Sequence, residues 1–137
     1  MGLILDTSAL VAWDRAIAGG RQAQLPEEEI IALPAIVWAE ALVGVRMADT
    51  PLRAAQRRAR LEVLRRVLDI EPFTPEIAEH YADIYAELTA KGTLIPQNDI
   101  SVAATARALR FGVLVGPADE ADFARIAGLE VRVLTVV

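Results

Sequence analysis

The sequence of 137 residues contains no cysteine, a single histidine and a single lysine, and no long hydrophobic run. Without cysteine, disulfide bonds, thiolate catalysis and cysteine-ligated zinc are excluded. The histidine, His80, has no second histidine to share a metal, so we interpret it as a surface or partly packed side chain. Charges such as Glu40 and Arg46 interrupt the apolar stretches well before the roughly 18 residues of a membrane span. No segment is expected to cross a bilayer.

Positive charge is also scarce. Fourteen basic residues against nineteen acidic ones leave a formal net charge of −5, the wrong sign for holding nucleic acid by overall charge. The start of the chain lacks the basic residues of a secretory signal, and together with the missing cysteine this predicts a cytoplasmic protein. Hydrophobic residues, however, make up 54% of the sequence, and the mean hydropathy is +0.34. Such a composition predicts that a partner protein or a second copy, as in a homodimer, covers apolar surface.

Short apolar strands alternate with helical segments along the whole chain. The patterns predict strands at residues 3–5, 29–33, 69–73, 113–115 and 131–136. Helix-start signals fall at Thr7 or Ser8, Pro34, Thr50, Thr74, Asn98 or Asp99, and Asp119 or Glu120. The length suits one domain spanning residues 1–137. This alternation predicts an α/β domain of three layers, in which helices flank a mainly parallel central sheet.

Three carboxylates lie where hydrophobic segments are expected to bury apolar side chains. Asp6 ends the first strand, Glu40 falls on an apolar helix stripe with Val43, and Asp99 begins a helix. Clustered acids repel one another and resist desolvation, so such a cluster is stable chiefly around a cation. Carboxylates with little histidine favour Mg²⁺ or Mn²⁺. Because Asp6 and Asp119 both follow strands, we expect the metal site at the carboxyl edge of the sheet.

Each acid alone also has a simpler interpretation. Asp6 could cap the helix that follows it, and Glu40 could pair with an arginine. Asp99 and Asp119 could each be a helix N-cap that stabilises by about 1 kcal/mol. A metal site is therefore indicated by the acids occurring together and not by any one of them.

Four short motifs carry a family resemblance. They are LDTSAL at residues 5–10, Glu40 with Gly44, Asp99 before VAATA at 102–106, and Asp119 four residues before Phe123. In this order, over nearly the whole chain, they resemble the PIN-domain ribonucleases of the VapC toxin type. The resemblance implies a PIN-like fold and a metal-dependent endoribonuclease that cuts RNA by hydrolysis, leaving a 5′-phosphate and a 3′-hydroxyl. It also implies a cognate antitoxin protein that blocks the cleft, and Mg²⁺ or Mn²⁺ bound by Asp6, Glu40, Asp99 and Asp119.

One segment departs from the family pattern. The family usually places Ser or Thr directly after the strand that precedes the fourth acid, whereas this chain reads VGPAD at residues 115–119, one residue longer. The fourth acid is therefore Asp119, Glu120 or Asp122, and the spacing to Phe123 favours Asp119.

Two polar residues beside the acids, Ser8 and Asn98, are left out of the catalytic set. Each could support the site through a hydrogen bond to a ligand, but we interpret each as a helix cap.

An arginine-rich helix is predicted after Pro51, and two interpretations of it stay open. It is either an ordinary solvent-exposed helix face or a local binding surface for RNA phosphates or for an acidic antitoxin segment. Its six arginines are Arg53, Arg57, Arg58, Arg60, Arg65 and Arg66.

Two alternatives to the nuclease remain open. The first is a catalytically inactive PIN scaffold that binds RNA or protein. The second is a phosphoacceptor signalling domain, which is a small α/β fold with acids at strand ends. Signalling domains of that kind use a lysine after a late strand, and no lysine follows Lys91 here.

Overall fold

The structure is a computed structural model that describes residues 2–137. Its central sheet has five strands, all parallel, in the order β4-β3-β1-β5-β6. Their bounds are β1 Gly2–Leu5, β3 Ile30–Pro34, β4 Asp69–Glu71, β5 Gly112–Val115 and β6 Val131–Val133. A separate antiparallel pair joins β2 (Ala23–Gln24) to β7 (Thr135–Val136). The predicted α/β fold with a mainly parallel sheet is confirmed.

Helices flank the sheet, and most of them begin at the capping signals of the sequence. Thr50 and Thr74 each accept a hydrogen bond from a backbone N–H of the first turn, and each is followed by proline at the first helical position. Within residues 2–137, no helix combines the length and the apolar character that a membrane span requires. The helices are α1 Thr7–Ala18, α2 Ala35–Arg46, α3 Pro51–Val67, α4 Pro75–Ala90, α5 Gln97–Leu109 and α6 Glu120–Ala124.

The core is centred on β1 and β5. Every residue of these two strands is buried, and Leu3, Ile4 and Leu5 have no exposed surface. A parallel strand covered on both sides has no polar face, which explains why both strands read as uninterrupted apolar runs. Each fully buried leucine or isoleucine side chain contributes about 1.5–3 kcal/mol to the free energy of folding. The carboxyl end of β1 therefore holds the residue that follows it in a fixed position.

The carboxy-terminal segment differs from the single strand predicted for residues 131–136. The strand breaks at Leu134, whose side chain is buried and whose N–H bonds to the Val115 carbonyl. The chain then turns to pair with β2, a two-residue strand too short to leave a periodic signal. Pro34 also differs from expectation, since it is the last residue of β3 and not part of the first turn of α2.

The inner face of α2 was predicted wrongly. Val43, predicted on that face, is 58% exposed, and the buried side is formed by Val37 with Ala41 partly buried beside it. Glu40 is therefore half-buried at the edge of the helix contact, not in the middle of an apolar stripe. Helix α4 packs mainly against α5.

Candidate metal centre

Asp6 stands at the point where the strand order reverses. The chain moves from β1 to β3 and β4 on one side of the sheet, and later returns to β5 and β6 on the other side. In open α/β sheets, such a switch point opens a crevice at the carboxyl ends of the strands. Asp6 is fully buried, directly after β1, and its Oδ1 accepts the N–H of Ala9 at 2.8 Å as the N-cap of α1. Helix α1 is therefore capped by Asp6, which agrees with the simpler interpretation of this acid, and not by Thr7 or Ser8.

Two further carboxylates reach the same point from distant parts of the chain. Asp99 is half-buried in the first turn of α5, and Asp119 is the half-buried N-cap residue of α6. One carboxylate oxygen from each of Asp6, Asp99 and Asp119 lies within 4.8 Å of the other two. Within residues 2–137, no arginine or lysine forms a salt bridge with any of the three. The fold thus concentrates negative charge without a protein cation to balance it.

Burial and mutual repulsion make these carboxylates hard to ionise. Burial raises the pKa of Asp6 from 3.8 to about 6, with the charge of Asp119 adding to the effect and the hydrogen bonds from Ala9 and Ser8 opposing it. Burial also raises the pKa of Asp99 from 3.8 to about 6. The neighbouring charges that add to this rise are Asp119, Asp6, Asp122 and Glu40. A bound divalent cation would remove this repulsion.

Glu40 shares the cleft but stands apart from the three aspartates. It lines the same open cleft as Asp99 and Asp119, yet it does not join the group whose ligand atoms converge. Its Oε1 accepts a hydrogen bond from the Thr7 hydroxyl at 2.7 Å. The structure therefore brings together three of the four predicted site residues and leaves Glu40 at the margin, held by Thr7.

The three candidates for the fourth acid occupy different positions. Asp119 belongs to the converging group, whereas Glu120 is exposed and does not line the cleft. Asp122 lines the cleft, but its Oδ1 lies 3.6 Å from Nη1 of Arg125 and forms an ion pair with it. The geometry agrees with the choice that the spacing to Phe123 favours.

The hydroxyl of Ser8, interpreted from sequence as a cap, bonds elsewhere. It donates to both carboxylate oxygens of Asp6, each at 2.9 Å, and accepts the backbone N–H of Gly116 at 2.9 Å. Asn98 lines the cleft inside the first turn of α5, whose N-cap position is held by Pro96. The cap interpretation was wrong for both residues, and Ser8 instead makes the other contact considered from the sequence, a hydrogen bond to a candidate ligand.

The donor set of the cluster fits a hard divalent cation. All of the converging atoms are carboxylate oxygens, which Mg²⁺ and Mn²⁺ prefer, and the described residues add no histidine to the group. Asp6 Oδ1 is occupied by the Ala9 N–H, so Oδ2 is the oxygen with more free lone pairs. Asp6, Asp99 and Asp119 are thus the side chains able to hold such an ion.

The arginine-rich helix α3 is mostly engaged with the protein itself. Arg60 pairs with Asp14 of α1 at 2.7 Å, and Arg57 donates to the Gly44 carbonyl of α2 at 2.7 Å. The remaining contacts are the ion pairs Arg53–Asp49 and Arg58–Glu62 and the placement of Arg58 and Arg65 over the Trp38 ring. These contacts favour a structural role for most of the run over a grip for RNA.

Comparison with known proteins places the chain in a family. The model of the PIN domain matches residues 3–129. Over 131 residues the chain is 32% identical to "Ribonuclease VapC1" of Rickettsia felis and 30% identical to "Ribonuclease VapC" of Rickettsia bellii, covering 96% of this chain and 95% of each relative.

Solved structures agree with the sequence relatives. The chain matches VapBC2 of Rickettsia felis, crystallised with a DNA fragment from its promoter, with a TM-score of 0.79 and 25% identity over 97% of this chain and 98% of that one. It matches VapBC-5 of Mycobacterium tuberculosis, a member of the VapBC family of toxin-antitoxin systems, with a TM-score of 0.74 and 28% identity over 96% of each chain. The chain belongs to the PIN domain family.

Proposed function

We propose that this chain is a Mg²⁺- or Mn²⁺-dependent endoribonuclease and the toxin of a toxin–antitoxin pair. One PIN domain, residues 1–137, carries the activity, and the protein acts in the cytoplasm. The observation that supports this most directly is the convergence of Asp6, Asp99 and Asp119 within 4.8 Å with no salt bridge to a cation among residues 2–137. The similarity to proteins named ribonuclease VapC supports the choice of RNA as the substrate.

Each acid has a distinct part in the proposed reaction. Asp6, Asp99 and Asp119 hold the metal, and Glu40 either binds a second ion or orients the attacking water. When bound, the metal supplies Lewis-acid polarisation of the phosphate and activation of water. The Thr7 hydroxyl, 2.7 Å from Glu40 Oε1, fixes the direction of that carboxylate. In-line attack by water on the phosphodiester then leaves a 5′-phosphate and a 3′-hydroxyl.

The first prediction concerns the fourth acid. Purified protein is expected to cut RNA in the presence of Mn²⁺ and to lose this activity in EDTA. Asp119→Asn is expected to lower cleavage by more than about 100-fold, because a ligand change should exceed the cost of altering a supporting residue. Glu120→Gln, the adjacent exposed position, should keep activity close to wild type. Cleavage of a labelled RNA and analysis of its end groups measure both effects.

Two results would contradict this proposal. Metal binding by calorimetry without any RNA cleavage would indicate an inactive PIN scaffold that binds RNA or protein. Equal loss of activity in Asp119→Asn and Glu120→Gln would mean that the α6 segment, and not the Asp119 carboxylate, is what matters.

A groove beside the acidic cleft is the proposed binding site of the antitoxin. It encloses about 320 Å³ between α1, α2 and α3, and Thr7 lines both this groove and the cleft. Its apolar part includes Leu10, Val11, Ala41 and Leu61. A peptide lying in the groove would reach the acids at the Thr7 end and could block the approach of RNA.

Elsewhere, exposed apolar side chains such as Met47 and Phe73 support a homodimer.

The second prediction tests the groove. Val11→Glu places a charge on an apolar wall, and we expect it to abolish protection by the antitoxin while RNA cleavage continues. The matched control is Val63→Glu, since Val63 is 54% exposed on α3, compared with 41% for Val11, and does not line the groove.

Growth during co-expression with the product of the adjacent small reading frame provides the measurement. Wild type and Val63→Glu should be neutralised, and Val11→Glu should still arrest growth. Neutralisation of Val11→Glu would place the antitoxin elsewhere.

A further inference from the structure

The Ser8 hydroxyl joins the strand end that carries Asp6 to the loop that carries Asp119. A serine hydroxyl has one proton to donate and lone pairs to accept. Ser8 uses the proton for the two oxygens of Asp6 and accepts the N–H of Gly116, with every distance at 2.9 Å. Gly116 directly follows β5, three residues before Asp119. A single oxygen atom therefore contacts one candidate ligand and the backbone that leads to another.

The absence of a side chain at Gly116 permits this contact. A Cβ at position 116 would lie 2.9 Å from the Ser8 carbonyl oxygen, 3.0 Å from its carbonyl carbon and 3.1 Å from its hydroxyl oxygen. Two of these atoms belong to the backbone of α1 and cannot move aside as a flexible side chain would. Glycine is needed at 116 because α1 and the loop after β5 approach closely there.

We propose that Ser8 is a positioning residue for the metal centre, holding the Asp6 carboxylate and the Asp119 loop in one fixed geometry. This inference rests on the proposed metal-dependent function. The Ala9 N–H holds only one oxygen of Asp6, so loss of the hydroxyl removes the side-chain donor of the other oxygen and leaves the Gly116 N–H without its partner. Supporting hydrogen bonds of this kind usually change metal affinity or activity by about 10–100-fold.

The test compares two serine-to-alanine variants. Ser8→Ala is expected to weaken Mn²⁺ binding by about 10-fold or more and to raise the Mn²⁺ concentration for half-maximal RNA cleavage. Its KM for RNA should not change. Ser101→Ala is the matched control, because Ser101 lies two residues after Asp99 and its hydroxyl donates only to the Gln97 carbonyl. Ser8→Thr keeps a hydroxyl and is expected to recover most of the Mn²⁺ affinity.

Calorimetry with Mn²⁺ alone, without RNA, separates the possible outcomes. Weaker Mn²⁺ binding in Ser8→Ala than in Ser101→Ala, with thermal unfolding showing both variants folded, supports the positioning role. Equal Mn²⁺ binding in the two variants, or a Ser8→Ala protein that does not fold, overturns it. If the wild type binds Mn²⁺ but cuts no RNA, the proposed nuclease function fails while the comparison of the two variants still decides the role of Ser8.

Discussion

Asp99→Asn is expected to abolish RNA cleavage and, in the metal-free protein, to raise the melting temperature. Burial and four neighbouring carboxylates raise the pKa of Asp99 to about 6, so the ionised side chain costs folding free energy near neutral pH. After allowance for its half exposure, removing this charge should stabilise by about 1–2 kcal/mol. The helix dipole at the start of α5 opposes this gain by only about 0.3–1 kcal/mol.

The measurement is thermal unfolding at pH 8 in EDTA and again in Mn²⁺, beside an RNA cleavage assay. Mn²⁺ should raise the melting temperature of the wild type, but much less that of the variant, because ligand binding stabilises only a protein that can bind. Asp83→Asn removes an exposed acid of α4 outside the cleft, and it should alter neither stability nor cleavage. A metal-free Asp99→Asn protein that melts below the wild type would contradict the electrostatic account of the cluster.

Mn²⁺ affinity is expected to fall about 100-fold between pH 7 and pH 5. The ion competes with protons for Asp6 and Asp99, both of which have a pKa of about 6. At pH 5 the protonated form of each carboxylate therefore outnumbers the ionised form by roughly ten to one. The metal-free protein should show the opposite trend in stability. Because the folded-state pKa values lie above the unfolded value of 3.8, stability should fall as the pH rises from about 4 to about 6 and then level off.

Calorimetric titration with Mn²⁺ at pH 5, 6 and 7 measures the first trend, and melting curves in EDTA measure the second. The Asp99→Asn protein provides the control, since its melting temperature should depend less on pH over the same range. An affinity that stays constant from pH 5 to pH 7 would mean that the carboxylates are already ionised in the metal-free protein.

The sequence predicted the parallel sheet because burial leaves a direct signal in parallel strands. Strands β1 and β5 are apolar at every position, and no polar side chain is tolerated when both faces are covered. The sequence also predicted the helix starts at Thr50 and Thr74, because a capping hydroxyl followed by proline stabilises the first turn through local contacts. Features determined by neighbours within a few residues were therefore predictable.

Features determined by distant contacts were not predictable in the same way. The acids Asp6, Asp99 and Asp119 could be proposed as a group, but their convergence depends on the strand order, which local patterns do not specify. The outward position of Val43 was missed because an apolar side chain on a helix gives no sign of which surface it faces. The Ser8–Gly116 contact was missed because the two residues meet only after β5 inserts beside β1.

The placement of Asp119 after β5 has a consequence for synthesis on the ribosome. β5 pairs with β1, which is synthesised before it, so the sheet cannot be completed until residues 112–115 are made and the third aspartate can join the other two. A nascent chain that still lacks this segment holds only two acids of the group and has no complete centre. The proposed toxin would thus become harmful to its host only after the segment that carries Asp119 has been translated, which gives an antitoxin already present in the cell time to bind it.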